Sequence, residues 1–465
     1  MVADRMLGTF QKLRRAWRAG LVLILIFGSA WLLPPMVQHW RHLCPVKPDG
    51  VAESYAIPAF ARKYGVSCSQ CHTAWPDLNA YGRWFKLQGY VREPGSTDGV
   101  LQAKDGGGLW TEKNFPIAAV VISRPYDKGT TGQGDYASGQ SEARNRALQD
   151  MTLFIAGGDV SNHMSYFMGT DFADNNDGAS TGGAQYTPQM TDIQLGYHPN
   201  RYLNIMAGNR SFWLTDPYQT LNNAEELTVT PRPLTSAGFL AGDSMDARKD
   251  TLAEYGTMAL GKDSPAFLYY SAGYSASIAA SNSTSDPGAL PSDVAARIAL
   301  DDTGGALGTM IGAFADNDRV VGSMNSPATD DFSAKRIGGD TLIEKGGFTF
   351  RGVFMAEEDR DLGPTTPQMG YGRAAYGELF YTFENKDGTR PLFVPLVRED
   401  WIQGQSGTGT TSSSQYAGLT LELTHYITQN VKWDVEYAMA ESAEGQAVGG
   451  DPKEHRWIGQ LEVGF

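Results

Sequence analysis

The stretch VKWDVEYAM, residues 431–439, places an apolar side chain at every second position and mostly charged side chains between them. A period of two is typical of a β-strand with one face in apolar surroundings and the other in polar ones. The same alternation recurs over residues 192–198 and, interrupted by Phe380, over residues 376–384. These stretches predict a mainly β protein, and they fit a membrane barrel with lipid outside and a wet lumen inside.

Outward from this stretch, segments of strand length separated by turn-rich loops run from residue 117 to residue 465. We place sixteen predicted strands at residues 117–126, 148–159, 164–173, 190–198, 202–211, 250–261, 266–279, 293–301, 306–315, 333–344, 347–357, 372–384, 390–402, 415–427, 431–440 and 455–465. Long connections, such as 212–249, follow the odd-numbered strands, whereas short ones, such as 199–200 and 428–430, follow the even-numbered strands. This asymmetry is typical of outer-membrane barrels, which have tight periplasmic turns and long external loops.

The last predicted strand supports the same interpretation. Apolar residues alternate from Trp457 to Val463, and the chain stops at Phe465. A terminal aromatic residue on an alternating strand resembles the recognition signal of outer-membrane barrels, although a soluble sandwich that ends in a strand is the alternative. We therefore predict a sixteen-stranded antiparallel β-barrel over residues 117–465, surrounded by lipid in the bacterial outer membrane.

Composition limits the class of partner. The 465-residue chain has a formal net charge of −14, whereas proteins that bind nucleic acid need a basic face. The charge therefore argues against a nucleic-acid partner, and a charged partner is expected to be a cation.

The N-terminal region is predicted to be a targeting segment. Basic residues between positions 12 and 18 precede an apolar run at residues 21–33, which Pro34 and Pro35 end. This run is short for a membrane span and has the length of a signal-peptide core. We assign residues 1–52 to a signal peptide and N-terminal extension with an undefined cleavage site, and an uncleaved anchor remains the alternative.

The chemistry is expected at Cys68-Ser69-Gln70-Cys71-His72. Two cysteines separated by two residues and followed by histidine form the attachment pattern of a c-type haem. Cys68 and Cys71 are predicted to bind one haem c covalently, with His72 as the proximal ligand of its iron. A thioredoxin-like pair, half of a zinc site and a structural disulfide are the alternatives, but the chain has only three cysteines and the flanking sequence shows no βαβ pattern.

The haem motif lies in a small helical unit, residues 53–95, which a linker at 96–116 joins to the barrel. One helix is predicted over residues 57–65 and a second from Pro76 to Gly89. So few residues cannot bury a self-sufficient core, and the haem would supply the missing apolar mass. An ordinary amphipathic helical hairpin is the alternative, but it would not explain the cysteines.

The second axial ligand of the haem iron is expected outside this unit, because no His or Met occurs between His72 and Met151. Side-chain parity puts His198, Met206 and Met258 on the polar, lumen-facing side of their strands. His198 is the candidate distal ligand, since it lies at the short-turn end where a periplasmic plug would enter. A solvated lumen histidine is the alternative.

The helical unit resembles the fused outer-membrane monohaem cytochrome–porin family, which includes the iron-oxidising outer-membrane cytochromes c. The resemblance rests on the haem motif and on AFARKYG at residues 59–65, with Leu78-Asn79, Gly82-Arg83 and Gly89-Tyr90. It implies a single haem carried by an N-terminal plug inside a sixteen-stranded barrel. It also implies an electron-transfer protein that passes electrons from extracellular Fe(II) to a periplasmic carrier, either a cytochrome or a copper protein.

Two function hypotheses follow from these observations: an iron-oxidising electron conduit, and a diffusion porin whose haem plug is structural or sensory. A single haem accepts one electron at a time, which suits the Fe(II)/Fe(III) couple. Acidic groups predicted in the external loops could attract Fe²⁺, although for any individual cluster the favoured explanation is that the residues are simply solvated. They comprise Asp171, Asp174, Asp177, Asp316, Asp318, Asp330, Asp331, Glu357, Glu358 and Asp359.

Overall fold

A computed structural model of the chain describes the haem-motif unit and most of the predicted barrel. The described residues are 58–91, 100–102, 110–112, 116–130, 141–143, 146–160, 163–174, 186–209, 211–222, 226–233, 245, 249–262, 264–276, 292–320, 332–361, 369–407, 412–442 and 453–465. The predicted signal peptide and extension, residues 1–52, lie outside this part of the chain.

The described strands form a closed antiparallel barrel in which each strand pairs with its neighbours in the chain and the last pairs with the first. Sixteen strands make up the described wall, numbered β1 to β16. They are Ile117–Thr130, Arg146–Val160, Met164–Asp174, Tyr186–Asn200, Leu203–Asn209, Asp250–Ala259, Phe267–Ala276, Ser292–Asp301, Thr309–Val320, Phe332–Lys345, Phe348–Asp361, Met369–Tyr381, Pro391–Gly407, Ser412–Tyr426, Val431–Ser442 and Lys453–Gly464. Ser141–Ala143 and Phe383–Glu384 are short continuations of β2 and β12. The predicted fold class is confirmed.

The two ends of the barrel differ in the same sense as the sequence predicts. Turns of a few residues, such as 201–202, 346–347 and 427–430, follow even-numbered strands, whereas the connection after β5 spans residues 210–249. Short turns mark the periplasmic end of an outer-membrane barrel. The short-turn end is therefore the periplasmic end.

The outer face of the wall is apolar and exposed. Outward side chains such as Leu195, Ile298 and Ile311 are 55%, 50% and 62% exposed. Burying these side chains in lipid removes the cost of leaving them in water. A closed barrel with this exterior band is an outer-membrane barrel, which confirms the predicted location in the bacterial outer membrane.

The inner face departs from the expected wet lumen. Lys432, Asp434 and Glu436, which alternate with outward apolar residues on β15, are at most 1% exposed. Two segments cover them: the N-terminal unit, called the plug (residues 58–91), and part of the long connection after β5, called the inner loop (residues 211–222 and 226–233). The described lumen is therefore occupied largely by these two segments.

The plug contains two short helices, α1 at Pro58–Tyr64 and α2 at Ala80–Leu87, around the haem motif. A single 3-10 turn, Cys68–Gln70, begins the motif, and the strand His72–Ala74 pairs with Asp77–Leu78. The predicted second helix thus begins four residues later than expected. No helix in the described part of the chain is long and apolar enough to cross a membrane. Between plug and barrel, Val100–Gln102 pairs with Trp110–Glu112.

Several of the predicted acidic loop groups are in fact buried wall residues. Asp316 and Glu357 each lie 3.0 Å from Arg336, and Asp318 lies 3.0 Å from Lys249, all facing the lumen. The prediction that these three carboxylates lie in solvated loops is wrong. Strand β9 extends beyond its predicted end to include Asp316 and Asp318, and Glu357 is a lumen-facing residue of β11. Asp177, Asp330 and Asp331 lie outside the described residues.

Candidate haem site

The turn that carries the two cysteines is held by the start of helix α2. Asn79 caps this helix by accepting the Gly82 N–H at 2.9 Å. Its side-chain amide also donates to the carbonyl oxygens of Ser69 and Gln70, at 3.1 and 3.2 Å. One residue thus stabilises a helix N-terminus and fixes the cysteine turn against it.

Gly82 permits a close approach that no other residue would allow. A Cβ at this position would lie 2.0 Å from the carbonyl oxygen of Cys71. Its neighbour Arg83 donates to the Leu78 carbonyl at 2.6 Å and forms a buried ion pair with Glu344 of β10. The Leu-Asn and Gly-Arg pairs of the sequence therefore serve to pack α2 onto the motif and to fasten the plug to the wall.

The imidazole of His72 is oriented through one of its nitrogens. Nδ1 lies 3.1 Å from the carbonyl oxygen of Pro76 and 3.2 Å from that of Asp77. A histidine that ligates a metal almost always donates its other ring N–H to such an acceptor, which fixes the tautomer and ring direction. His72 thus has the support expected of an iron ligand that binds through Nε2.

A cavity of about 390 Å³ lies beside this histidine and is bounded by the plug, the wall and the inner loop. Cys71 and His72 form part of its lining. Much of the remainder is apolar, and the aromatic lining residues are Phe60, Tyr64, Trp75, Tyr81, Phe85, Tyr90, Phe154 and Phe167. Aromatic walls, the Cys71 side chain and an oriented histidine fit a covalently held haem, whereas Cys68 is buried in the neighbouring turn and does not line the cavity.

The same geometry disfavours the alternatives for the cysteines. Cys68 and Cys71 form no disulfide. Burial, with a smaller effect of Cys68, raises the pKa of the Cys71 thiol to about 12, whereas metal binding and thiol redox chemistry need the thiolate. Among the described residues, no group of three or more His, Cys, Asp or Glu side chains is placed to hold a metal ion, so a zinc site finds no support there.

His198 lies inside the barrel but away from the cavity. Its Nε2 is 2.7 Å from the Ser165 hydroxyl and its Nδ1 is 3.1 Å from Oδ1 of Asn204. The ring also fills the space beside Gly89, where a Cβ would lie 2.3 Å from it. The lumen-facing parity is correct, but His198 does not line the cavity beside His72. In this arrangement it acts as a packing residue between plug and wall.

The other candidates for the distal position are not brought to the cavity either. Met206 faces the lumen as predicted, at 4% exposure, but it packs in a hydrophobic cluster with Phe212 and Trp213 and does not line the cavity. Met258 is 49% exposed on the outer face, so its predicted lumen orientation is wrong. The described lining contains no second histidine and no methionine.

Contacts from distant parts of the chain complete the site, and no local sequence pattern indicates them. Asp77 forms a buried ion pair with Arg351 of β11, and Gln219 of the inner loop accepts the Leu78 N–H at 2.7 Å. Tyr426 of β14 donates to the Trp75 carbonyl at 2.6 Å. These partners are separated by more than 100 residues, so only the closed barrel brings them together.

The inner loop lies in the lumen and is bound to several wall strands by ion pairs and hydrogen bonds. Arg297 of β8 lies 2.6 Å from Asp216, and Asp340 of β10 lies 2.6 Å from the Thr220 hydroxyl. Arg232 lies 3.1 Å from Glu378 of β12, and Arg398 of β13 lies 3.2 Å from Glu226.

Glu226 also lines the cavity beside His72. Burial raises the pKa of its carboxyl to about 7, against the opposing effect of Arg232 and Arg398. The charge on this part of the cavity wall therefore changes near neutral pH.

Comparison with known proteins identifies the class of fold. No family model and no curated protein matches the chain. Among solved structures, Salmonella typhi OmpF in complex with daunomycin aligns with a TM-score of 0.53 and 12% identity, over 76% of this chain and 98% of that one. In-vitro folded OmpT of Vibrio cholerae, an outer membrane protein in its trimer form, aligns with a TM-score of 0.50 and 10% identity, over 75% and 99%.

These similarities cover the barrel architecture alone, because the identities are low. The chain is a porin-like outer-membrane barrel. The haem assignment rests on the plug and its cavity.

Proposed function

We propose that the protein is an outer-membrane c-type cytochrome that takes electrons from extracellular Fe(II) and passes them to a periplasmic carrier. The observation that carries this proposal is the aromatic cavity beside Cys71 and His72 inside the barrel. Cys68 and Cys71 would hold the porphyrin, and His72 would hold the iron. A haem bound there supplies a one-electron redox centre.

The position of the plug supports electron transfer toward the periplasm. Ser69 donates to the Thr389 carbonyl at 2.8 Å, and the Cys68 N–H donates to the Gln429 side chain at 3.1 Å. Both partners lie in short turns, so the cysteine turn is at the periplasmic mouth, where a soluble cytochrome or copper protein can approach. The chain's residues here would bind and orient the redox centre.

The nature of the donor is supported by the resemblance of the plug to iron-oxidising outer-membrane cytochromes and by the one-electron capacity of a single haem. The net charge of −14 attracts cations and adds modest support.

Mixing the oxidised, detergent-solubilised protein anaerobically with Fe(II) in a stopped-flow instrument is expected to produce the reduced haem spectrum rapidly. His72→Ala is expected to abolish this response, because it removes the proximal ligand. Arg201→Ala, in the exposed turn 201–202 at the same mouth and outside the described cavity lining, is the control and should respond as the unaltered protein does. Haem that stays oxidised in excess Fe(II) at acid and neutral pH, yet is reduced by dithionite, would exclude Fe(II) as donor and leave the cytochrome assignment standing.

A diffusion porin with a structural or sensing haem plug is the second candidate, and the likeness of the barrel fold to OmpF supports it. The described plug and inner loop oppose it, since they fill the lumen between them. In planar bilayers we expect the full chain to show no steady open-channel current. A stable ohmic conductance of the unaltered protein would favour the porin function instead.

A further inference from the structure

The segment that follows the haem motif, residues 75–78, is held mainly from outside the plug. Tyr426 anchors the Trp75 carbonyl, Arg351 pairs with the Asp77 carboxylate, and Gln219 accepts the Leu78 N–H. The same segment carries both carbonyl oxygens that lie against Nδ1 of His72. The barrel and the inner loop thus fix the groups that orient the proximal histidine.

Gln219 is itself held in an uncommon backbone conformation. Its φ is +59°, in the left-handed region that non-glycine residues seldom adopt, and the residue is 1% exposed. Residues held in this way cluster at functional sites. Arg232 donates to the Gln219 carbonyl at 2.9 Å, and the Gln219 amide nitrogen lies 3.4 Å from the Pro76 oxygen.

Arg351 belongs to the same buried network. Besides Asp77 it contacts Glu378 at 3.1 Å, and Glu378 in turn contacts Arg232 at 3.1 Å. Asp77, Arg351, Glu378 and Arg232 are each at most 1% exposed. An ion-pair chain therefore runs from the histidine-orienting segment through the wall to the inner loop.

We propose that Gln219 and Arg351 are positioning residues that set the reduction potential of the haem through His72. The inference rests on the proposed function, since it requires haem at this site. A firmly held Nδ1–H makes the histidine a more basic ligand and favours ferric iron, and hydrogen bonding around the ligand tunes haem potential. When Gln219 or Arg351 is replaced, residues 76–78 relax and the hydrogen bonds to Nδ1 of His72 lengthen. The ferrous state of the haem then becomes more stable relative to the ferric state.

Potentiometric titration of the purified full-length protein measures the reduction potential and tests this proposal. Covalent haem staining checks that each variant carries haem. Gln219→Met removes the amide with little change in volume, and Arg351→Lys keeps the charge but loses the two-pronged geometry of the guanidinium. In both variants the reduced-to-oxidised ratio at a fixed potential is expected to rise on the order of tenfold. That ratio corresponds to a shift of about 59 mV for a one-electron couple.

Thr220→Val is the matched control, because it loosens the inner loop from Asp340 next to Gln219 without touching residues 75–78. Its potential should equal that of the unaltered protein. The inference is overturned if the Gln219→Met and Arg351→Lys proteins carry haem at the unaltered potential, or if Thr220→Val shifts it equally. Absence of covalent haem from the unaltered protein would instead overturn the proposed function, and this inference with it.

Discussion

Replacing both Cys68 and Cys71 by alanine is expected to remove covalently bound haem completely, because the two thioether bonds are the only covalent attachment the motif provides. Each single replacement should weaken or abolish the stain. The measurement is peroxidase-based haem staining of denatured protein on a gel, normalised to the amount of barrel present in the outer-membrane fraction.

Cys44→Ala is the matched control, since it removes the third cysteine of the chain, which lies in the predicted N-terminal extension. It should retain the full stain. Full staining of both single variants, Cys68→Ala and Cys71→Ala, would contradict the attachment assignment. Partial staining of one single variant agrees with the attachment assignment, because one thioether bond can still hold the porphyrin.

The barrel could be predicted from sequence because its signals are local and repeated. Alternation over single strands, as at residues 431–439, depends only on neighbouring positions, and the asymmetry of the connections can be counted along the chain. Strand ends were less predictable. Asp316 is a charged residue of a type common in loops, but the buried Arg336 of β10 pairs with it and with Glu357 and keeps both in the wall.

The lumen could not be predicted in the same way, because the rule that polar residues face inward assumes that water fills the barrel. Tyr255 and Tyr269 face inward and are at most 5% exposed, and Tyr255 donates to the Leu87 carbonyl of the plug at 3.2 Å. The alternation rule therefore predicts the wrong face for Met258, which points outward on the same strand as Tyr255. A filled lumen places apolar residues on both sides of the wall.

Only part of the haem site could be predicted from sequence. The cysteines and His72 are contiguous and carry their own chemistry, whereas Gln219 and Arg351 reach the site only after the barrel closes. His198 illustrates the limit. Parity correctly predicts that it faces the lumen, but its ring contacts Ser165 and Asn204 rather than the cavity beside His72. Parity gives the face of a strand, but the depth of the plug decides which lumen residues meet the haem cavity.

Arg232→Met is expected to destabilise the folded barrel by about 3–5 kcal/mol, the usual cost of removing one partner from a buried ion pair. Arg232 is fully buried and lies 3.1 Å from Glu378. It also donates to the carbonyl oxygens of Gln219 and Asn222 at 2.9 and 3.0 Å. Its loss leaves a carboxylate and two carbonyl groups under-satisfied where water does not reach. Urea titration in detergent micelles, followed by tryptophan fluorescence, measures the free energy of unfolding.

Arg456→Met is the matched control, because it makes the same substitution at an arginine whose ion pair is partly exposed. Arg456 contacts both oxygens of Asp127, at 2.9 and 2.7 Å, but 38% of its side chain is exposed. Water can replace that ion pair, so its loss should cost only about 0–1 kcal/mol. Equal effects of the two variants would contradict the expectation that the buried ion pair of Arg232 contributes more to stability than the exposed one of Arg456. A large difference, confined to Arg232→Met, would show that the buried network rather than arginine charge in general holds the lumen closed.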